Sequence, residues 1–192
     1  MRGPAIARRS ITPASVAPEP AAEGAQAARL RALIERFIDV LGAATSWISL
    51  VIVVLMSINV LMRYLFSKGT VWSQELEWHL LVPLILFGMS YAMRHGEHVR
   101  VDILYAKFPH RVKCAVDLVS ALLCMALCVL VIWFSLHYVQ QAYVIDEGSP
   151  DPGGIPHRYI VKSLIPLGFA VLFLQSIASA LLALGKLKAS RA

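Results

Sequence analysis

Two histidines lie within apolar stretches of the chain, where an imidazole ring could carry chemistry. His79 and His137 fall in two separate runs that are long enough to be membrane helices. Histidines from different helices of a membrane bundle can be the two axial ligands of a haem. The same residues can instead hydrogen-bond near the membrane surface, and the sequence lacks the extensive small-residue lining that a haem usually needs. A haem-binding electron-transfer protein is therefore the alternative function, and we expect no cofactor.

A second candidate site follows the second apolar run. His95, His98 and Asp102 are spaced so that a helix would place them on one face, where they could bind a metal ion. Arg94 and Arg100 lie beside them, and neighbouring positive charges disfavour a dication. We therefore expect no metal site and assign His98, Arg100 and Asp102 to structural or interface roles.

Opposite charges flank the connection between the first two runs. Asn59 and Arg63 lie one turn apart at the end of the first run, and Glu75 and Glu77 come just before the second. This spacing predicts that Arg63 pairs with Glu75 or Glu77 and fastens a helical hairpin. Alternatively, the three charged side chains lie separately among lipid headgroups, with Arg63 extended toward water.

The composition indicates an integral membrane protein. Of 192 residues, 58% are hydrophobic and only 16% are charged, with a mean hydropathy of +0.66. Soluble domains carry about 25% charged residues. This excludes a disordered chain and an ordinary soluble enzyme. The net charge of +6 is better explained by loops at the cytoplasmic face than by nucleic-acid binding, so we expect no nucleic-acid partner.

Four uncharged runs, at residues 40–62, 78–93, 118–145 and 163–185, predict an all-α fold with four membrane helices. We place these helices at about 40–63, 74–94, 114–145 and 160–185. The second run is short for a bilayer, so that helix must also use residues 71–77 or lie in thinned membrane.

The N-terminal part of the chain differs from the rest. Residues 1–28 are rich in Ala, Pro and Arg without apolar periodicity, which predicts a disordered tail before a membrane domain over residues 29–188. Residues 28–41 have an amphipathic helical pattern. We predict an interfacial helix there. The alternative is a cytoplasmic extension of the first membrane helix.

The basic residues predict the orientation in the membrane. Placing both termini and the central 94–116 loop on one side collects 14 of the 18 lysines and arginines there. Basic residues are enriched on the cytoplasmic side, so we expect both termini inside. Trp72 and Trp78 would then lie in the outer aromatic belt.

The last run carries small and polar residues at helical spacing. Gln175, Ser176, Ser179 and Ala180 belong to this stripe, and small residues let membrane helices approach closely. The sequence leaves open whether the stripe packs within this chain or against a partner.

No Asp, Glu, Lys or Arg lies inside any of the four runs. Carriers and pumps usually mark their pathway with such residues or with broken helices at mid-depth. This pattern favours a scaffold or accessory subunit, not an enzyme. A small carrier or channel formed by oligomerisation is the competing interpretation.

Several segments together resemble a known family. They are Asn59–Phe66, Trp72–Leu76, Phe87–Asp102, Gly148–Pro156 and Ile165–Phe169. In order and spacing they are similar to the small permease (DctQ-like) subunit of tripartite ATP-independent periplasmic (TRAP) transporters, over about residues 35–185.

This resemblance implies a set of partners and a location. It implies a bacterial inner-membrane protein that braces a large elevator-type membrane subunit driven by a sodium gradient. A periplasmic binding protein would deliver the substrate, commonly an organic acid. Membrane lipids would surround the assembly.

Overall fold

The computed structural model of the protein describes residues 24–67, 69–96 and 109–189. Over these residues the chain is all-α, with helices α1 (Ala25–Phe66), α2 (Val71–His95), α3 (His110–Val144) and α4 (Tyr159–Ala189). All four are long and apolar enough to cross a membrane, and each coincides with one of the predicted runs, the third of which continues one residue past α3. The predicted all-α, four-span fold is confirmed.

α1 is one continuous helix of 42 residues, about 63 Å long. The prediction of a separate interfacial helix at residues 28–41 is therefore wrong, and the extension is what the structure contains. Ile34 and Ile38 explain this, because both are buried in one hydrophobic cluster with Val171 and Ala178 of α4. One edge of the apolar pattern, at Ile34 and Ile38, therefore faces the protein.

α2 begins at Val71, so it includes the residues 71–77 that the short second run was expected to need. The helix spans about 37 Å over its 25 residues and accommodates Pro83. It ends at His95 and is capped by Gly96, whose φ of 74° is a left-handed conformation that glycine adopts at low cost.

α4 is the central helix of the bundle. α1, α2 and α4 pack against one another, whereas α3 packs chiefly along α4. Gly168 of α4 approaches α2 so closely that an added Cβ would lie 2.6 Å from Cβ of Leu86. The bundle therefore has a three-helix core with α3 attached to one of its members.

The helices alternate in direction, which gives the bundle two ends. The loop end holds the α1–α2 and α3–α4 connections. The terminal end holds the start of α1 and the end of α4. Gly42 lies against Tyr91, and Ser176 contacts Met93 at 3.7 Å, so α2 ends near that level. α1 and α4 both extend beyond the end of α2.

Candidate functional site

A buried carboxylate organises the loop end. Glu75, in the first turns of α2, is 4% exposed. It accepts hydrogen bonds from the Ser149 hydroxyl, from the Ile155 backbone N–H at 2.5 Å and from Arg158 Nη2 at 3.3 Å. A buried charge is tolerated only when it is paired and hydrogen-bonded. These four residues form the loop-end cluster, which fastens the α3–α4 connection to α2.

Gly154 fits tightly into this cluster. A Cβ atom at this position would lie 2.4 Å from Cβ of Ser149 and 2.6 Å from Oε2 of Glu75. Its N–H donates to the carbonyl of Asp151 at 3.1 Å, which closes a turn. The absent side chain is what allows the loop backbone to reach the buried carboxylate.

A second set of contacts joins the same loop to α3 and α4. Lys162 forms an ion pair with Glu147 and lies 4.0 Å from the ring centroid of Tyr138. The Arg158 N–H donates to the Glu147 carbonyl at 2.9 Å. These contacts connect the end of α3 to the start of α4.

The structure assigns the predicted hairpin contacts differently. Glu77, 9% exposed, accepts a 2.5 Å hydrogen bond from Nδ2 of Asn59, and Glu75 pairs with Arg158. The prediction that Arg63 pairs with either glutamate is wrong. Its side chain is exposed and has no ionic partner among the described residues. α1 and α2 are thus joined at this end by the neutral Asn59.

A second ionic cluster lies near the terminal end. Arg94, in the last turn of α2, pairs with Asp39 at 2.8 Å and approaches Glu35 at 3.9 Å, both on α1. We call Glu35, Asp39 and Arg94 the terminal-end cluster. Sequence analysis missed this contact. The available signal was that Asp39 and Arg94 border apolar runs at the same predicted side of the membrane.

The small and polar stripe of α4 faces the interior of the chain. Ser176 is fully buried, Gln175 is 3% exposed and Ala180 is 8% exposed, whereas Ser179 is intermediate. The Ser176 hydroxyl donates to the Leu172 carbonyl at 2.8 Å. The question left open by the sequence is settled in favour of packing within this chain.

The other candidate residues do not form a site in the described structure. His98, Arg100 and Asp102 lie outside the described residues, and Trp72 is exposed near the start of α2. Searched over the described ranges, the structure contains no group of three metal-ligating side chains.

The two candidate haem ligands are on helices that share no extensive interface. His79 lies on α2 and His137 is exposed on α3, which packs chiefly on α4. The Nδ1 atoms lie 2.7 and 3.3 Å from the backbone carbonyls of Glu75 and Trp133, each on the same helix as its histidine. No described contact brings these rings together.

A comparison with protein families gives a match over most of the helical part of the chain. Residues 52–185 match the family described as "Tripartite ATP-independent periplasmic transporters, DctQ component". The match covers most of the chain and runs from the middle of α1 almost to the end of α4. The chain belongs to the DctQ family.

Several curated proteins are similar to this DctQ-family chain. The ectoine TRAP transporter small permease protein TeaB of Halomonas elongata is 28% identical over 124 residues, which is 64% of this chain and 63% of TeaB. The C4-dicarboxylate TRAP transporter small permease protein DctQ of Vibrio cholerae is 26% identical over 134 residues, covering 59% of this chain and 58% of that protein. The matches thus span about three-fifths of these relatives.

A longer relative has the matching segment within a single polypeptide. The sialic acid TRAP transporter permease protein SiaT of Haemophilus influenzae is 28% identical over 116 residues. That segment is 60% of this DctQ-family chain but only 18% of SiaT. The region equivalent to this chain is a minor part of that permease protein.

Proposed function

We propose that this chain is the small, non-catalytic membrane subunit of a TRAP transporter in the bacterial inner membrane. It holds a large elevator-type subunit in place. That subunit takes up an organic acid, and a sodium gradient drives the uptake. A periplasmic binding protein delivers the substrate to the outer face. The loop end faces the periplasm in this arrangement, and the terminal end faces the cytoplasm.

The main support for the proposal is where the polar side chains of the described bundle lie and which residues they contact. The charged residues lie outside the four uncharged runs. The buried Glu75 pairs with Arg158 of the α3–α4 connection, and the partly exposed Arg94 pairs with Asp39 of α1. The polar stripe of α4 is buried in packing. A transport route through this chain would need polar groups directed into an open path at mid-depth. The bundle instead uses them for its own cohesion.

The need for a larger partner is supported by the exposed apolar surface and by SiaT. α1 and α3 both expose large side chains along their length, including Val54, Leu61, Leu123 and Phe134. Because the α4 stripe is buried internally, the partner would contact the outer face of α1 or α3. In SiaT, a segment similar to this chain is joined to a much longer remainder of one permease protein.

The substrate class rests on the relatives. Two of them are named for sialic acid and for C4-dicarboxylates. An organic acid is therefore the substrate that we propose for the whole transporter, with recognition by the other two subunits.

Reconstitution in liposomes tests the proposed division of labour. We would measure uptake of a panel of radiolabelled organic acids under an inward sodium gradient, with and without this chain. The complete set of three proteins should transport, whereas this chain alone should give only the background of empty liposomes. Liposomes that contain the large subunit and the binding protein, but not this chain, should show much less uptake than liposomes with all three proteins.

The same experiment has two outcomes that contradict the proposal. Uptake by this chain alone would show that it contains a route. Full uptake in its absence would show that the large subunit needs no scaffold. A matched control replaces the sodium gradient with an equal potassium gradient, which should abolish uptake by the complete transporter.

A further inference from the structure

The part of α1 beyond Gly42 has two different sides. We call residues 25–41 the α1 extension. One side is held in the bundle through Ile34 and Ile38. The adjoining side exposes four large apolar side chains, which are between 49% and 68% accessible: Leu30, Leu33, Phe37 and Val40. Such a surface is unfavourable in water, so something apolar must cover it.

The charges of the extension are divided between the same two sides. The acidic Glu35 and Asp39 are directed toward α2, where Arg94 neutralises them. Arg29 and Arg36 are exposed and have no ion-pair partner among the described residues. They are seven residues apart, so they lie on nearly the same line of the helix, on either side of Leu33. The outward face therefore combines apolar side chains with an unneutralised positive charge.

We propose that this outward face binds anionic phospholipid, with the lipid phosphates at Arg29 and Arg36 and the acyl chains along the apolar strip. Its components are those of helices that lie at anionic membrane surfaces, namely large apolar residues with interspersed arginines. The face continues without a break into the membrane-spanning part of α1. A second copy of the chain is a poor occupant, because the arginines of two such faces would repel each other.

The position of the extension favours the same occupant. α2 ends at His95, and Arg94 beside it pairs with Asp39 and approaches Glu35, so α2 runs alongside only the last part of the extension. The family match begins at residue 52, ten residues after Gly42. The lipid-binding face thus belongs to a part of this chain that precedes the region shared with the DctQ family.

Native mass spectrometry of the full-length chain tests the proposal. The chain would be studied in mixed micelles that contain phosphatidylglycerol or phosphatidylethanolamine at equal mole fraction. Phosphatidylglycerol should remain bound to the wild-type chain, and the double variant Arg29→Gln/Arg36→Gln should bind it with an affinity reduced about 25-fold. Each basic side chain near an anionic surface contributes about fivefold to such binding.

Two variants and a melting measurement serve as controls. Arg63→Gln removes an exposed arginine from the other end of α1 and should leave the binding unchanged, and Arg29→Lys/Arg36→Lys should retain most of it. All variants should melt at the wild-type temperature, because the substituted side chains are exposed. Equal binding of both lipids, or unchanged phosphatidylglycerol binding in the glutamine variant, would overturn the proposal. So would loss of a co-purifying protein without loss of lipid, since the face would then dock a protein.

Discussion

Glu75 connects parts of the chain that are far apart in sequence. It lies in α2 but holds Ser149, Ile155 and Arg158, which are 74 to 83 residues later. A buried carboxylate with three donors is a strong attachment, because hydrogen bonds to a charged group are stronger than those between neutral groups. The stability of the loop end should therefore depend more on this single side chain than on any charged side chain on the surface of the loop.

Substituting Glu75 should loosen the α3–α4 connection. Glu75→Ala leaves Arg158 without its counter-charge, and removing one partner of a buried pair is more damaging than removing both. We expect a lower melting temperature and faster protease cleavage within residues 146–158. The double variant Glu75→Ala/Arg158→Ala should recover part of the loss. Asp151→Asn, an exposed loop acid, is the control and should behave as wild type.

Gly154 offers an independent test at the same cluster. Gly154→Ala places a Cβ 2.6 Å from Oε2 of Glu75, so the loop must shift and the hydrogen bonds must lengthen. Such overpacking typically costs about 1–3 kcal/mol. Gly148→Ala is the matched control, because a Cβ there has nothing within 4 Å. The free energies of unfolding of the two variants, measured by denaturant titration, should differ by that amount. Equal stability would show that the loop is not closely packed against the carboxylate.

The partners of these residues were only partly predictable. Sequence alone placed Glu75, Glu77, Asn59 and Arg63 near one another, because they flank the same short connection. It gave the wrong pair because Arg158 reaches the same place through tertiary packing from 83 residues away. The spacing of residues in the sequence identifies neighbours on one helix. It does not identify the distant loop that packs against that helix.

At the scale of helices, the apolar runs predicted the number of membrane helices and most of their positions well. α3 begins at His110 and ends at Val144, close to the expected 114–145. The largest error is the start of α1, which begins at Ala25 and has no break near Leu41. Its amphipathic pattern suits a membrane surface or a protein core equally well, and periodicity cannot distinguish them. The contact of Ile38 with α4 decides between these environments.

The α4 stripe should be sensitive to bulk because it is internal. Ala180→Trp forces a large ring into a position that is 8% exposed, so this chain itself should fail to fold. Leu174→Trp, on the same helix but 38% exposed, is the matched control and should fold normally. Size-exclusion profiles of the purified chain without any partner measure the difference. A monodisperse Ala180→Trp variant would contradict internal packing of the stripe.

At the scale of the whole chain, the two ends of the bundle should lie on opposite sides of the membrane. The terminal end should be cytoplasmic, since 14 of 18 basic residues belong to the predicted inner side. In a variant without the native cysteines, Asp151→Cys should react with an impermeant thiol reagent in whole cells. Lys188→Cys should react only after the cells are opened. Reversed labelling would refute this orientation.

The central position of α4 has a consequence for how the protein is made. A ribosome releases α1 and α2 into the membrane well before it completes α4, the last helix. Until then Ser90 of α2, which is fully buried and lies on the same helix face as the α4 contacts Leu86 and Met93, is not covered by α4, and Arg158 has yet to reach Glu75. A nascent chain that stops short of Tyr159 would thus expose polar groups to lipid. Proteases that survey membranes for such groups would have a means of distinguishing the incomplete product from the complete one.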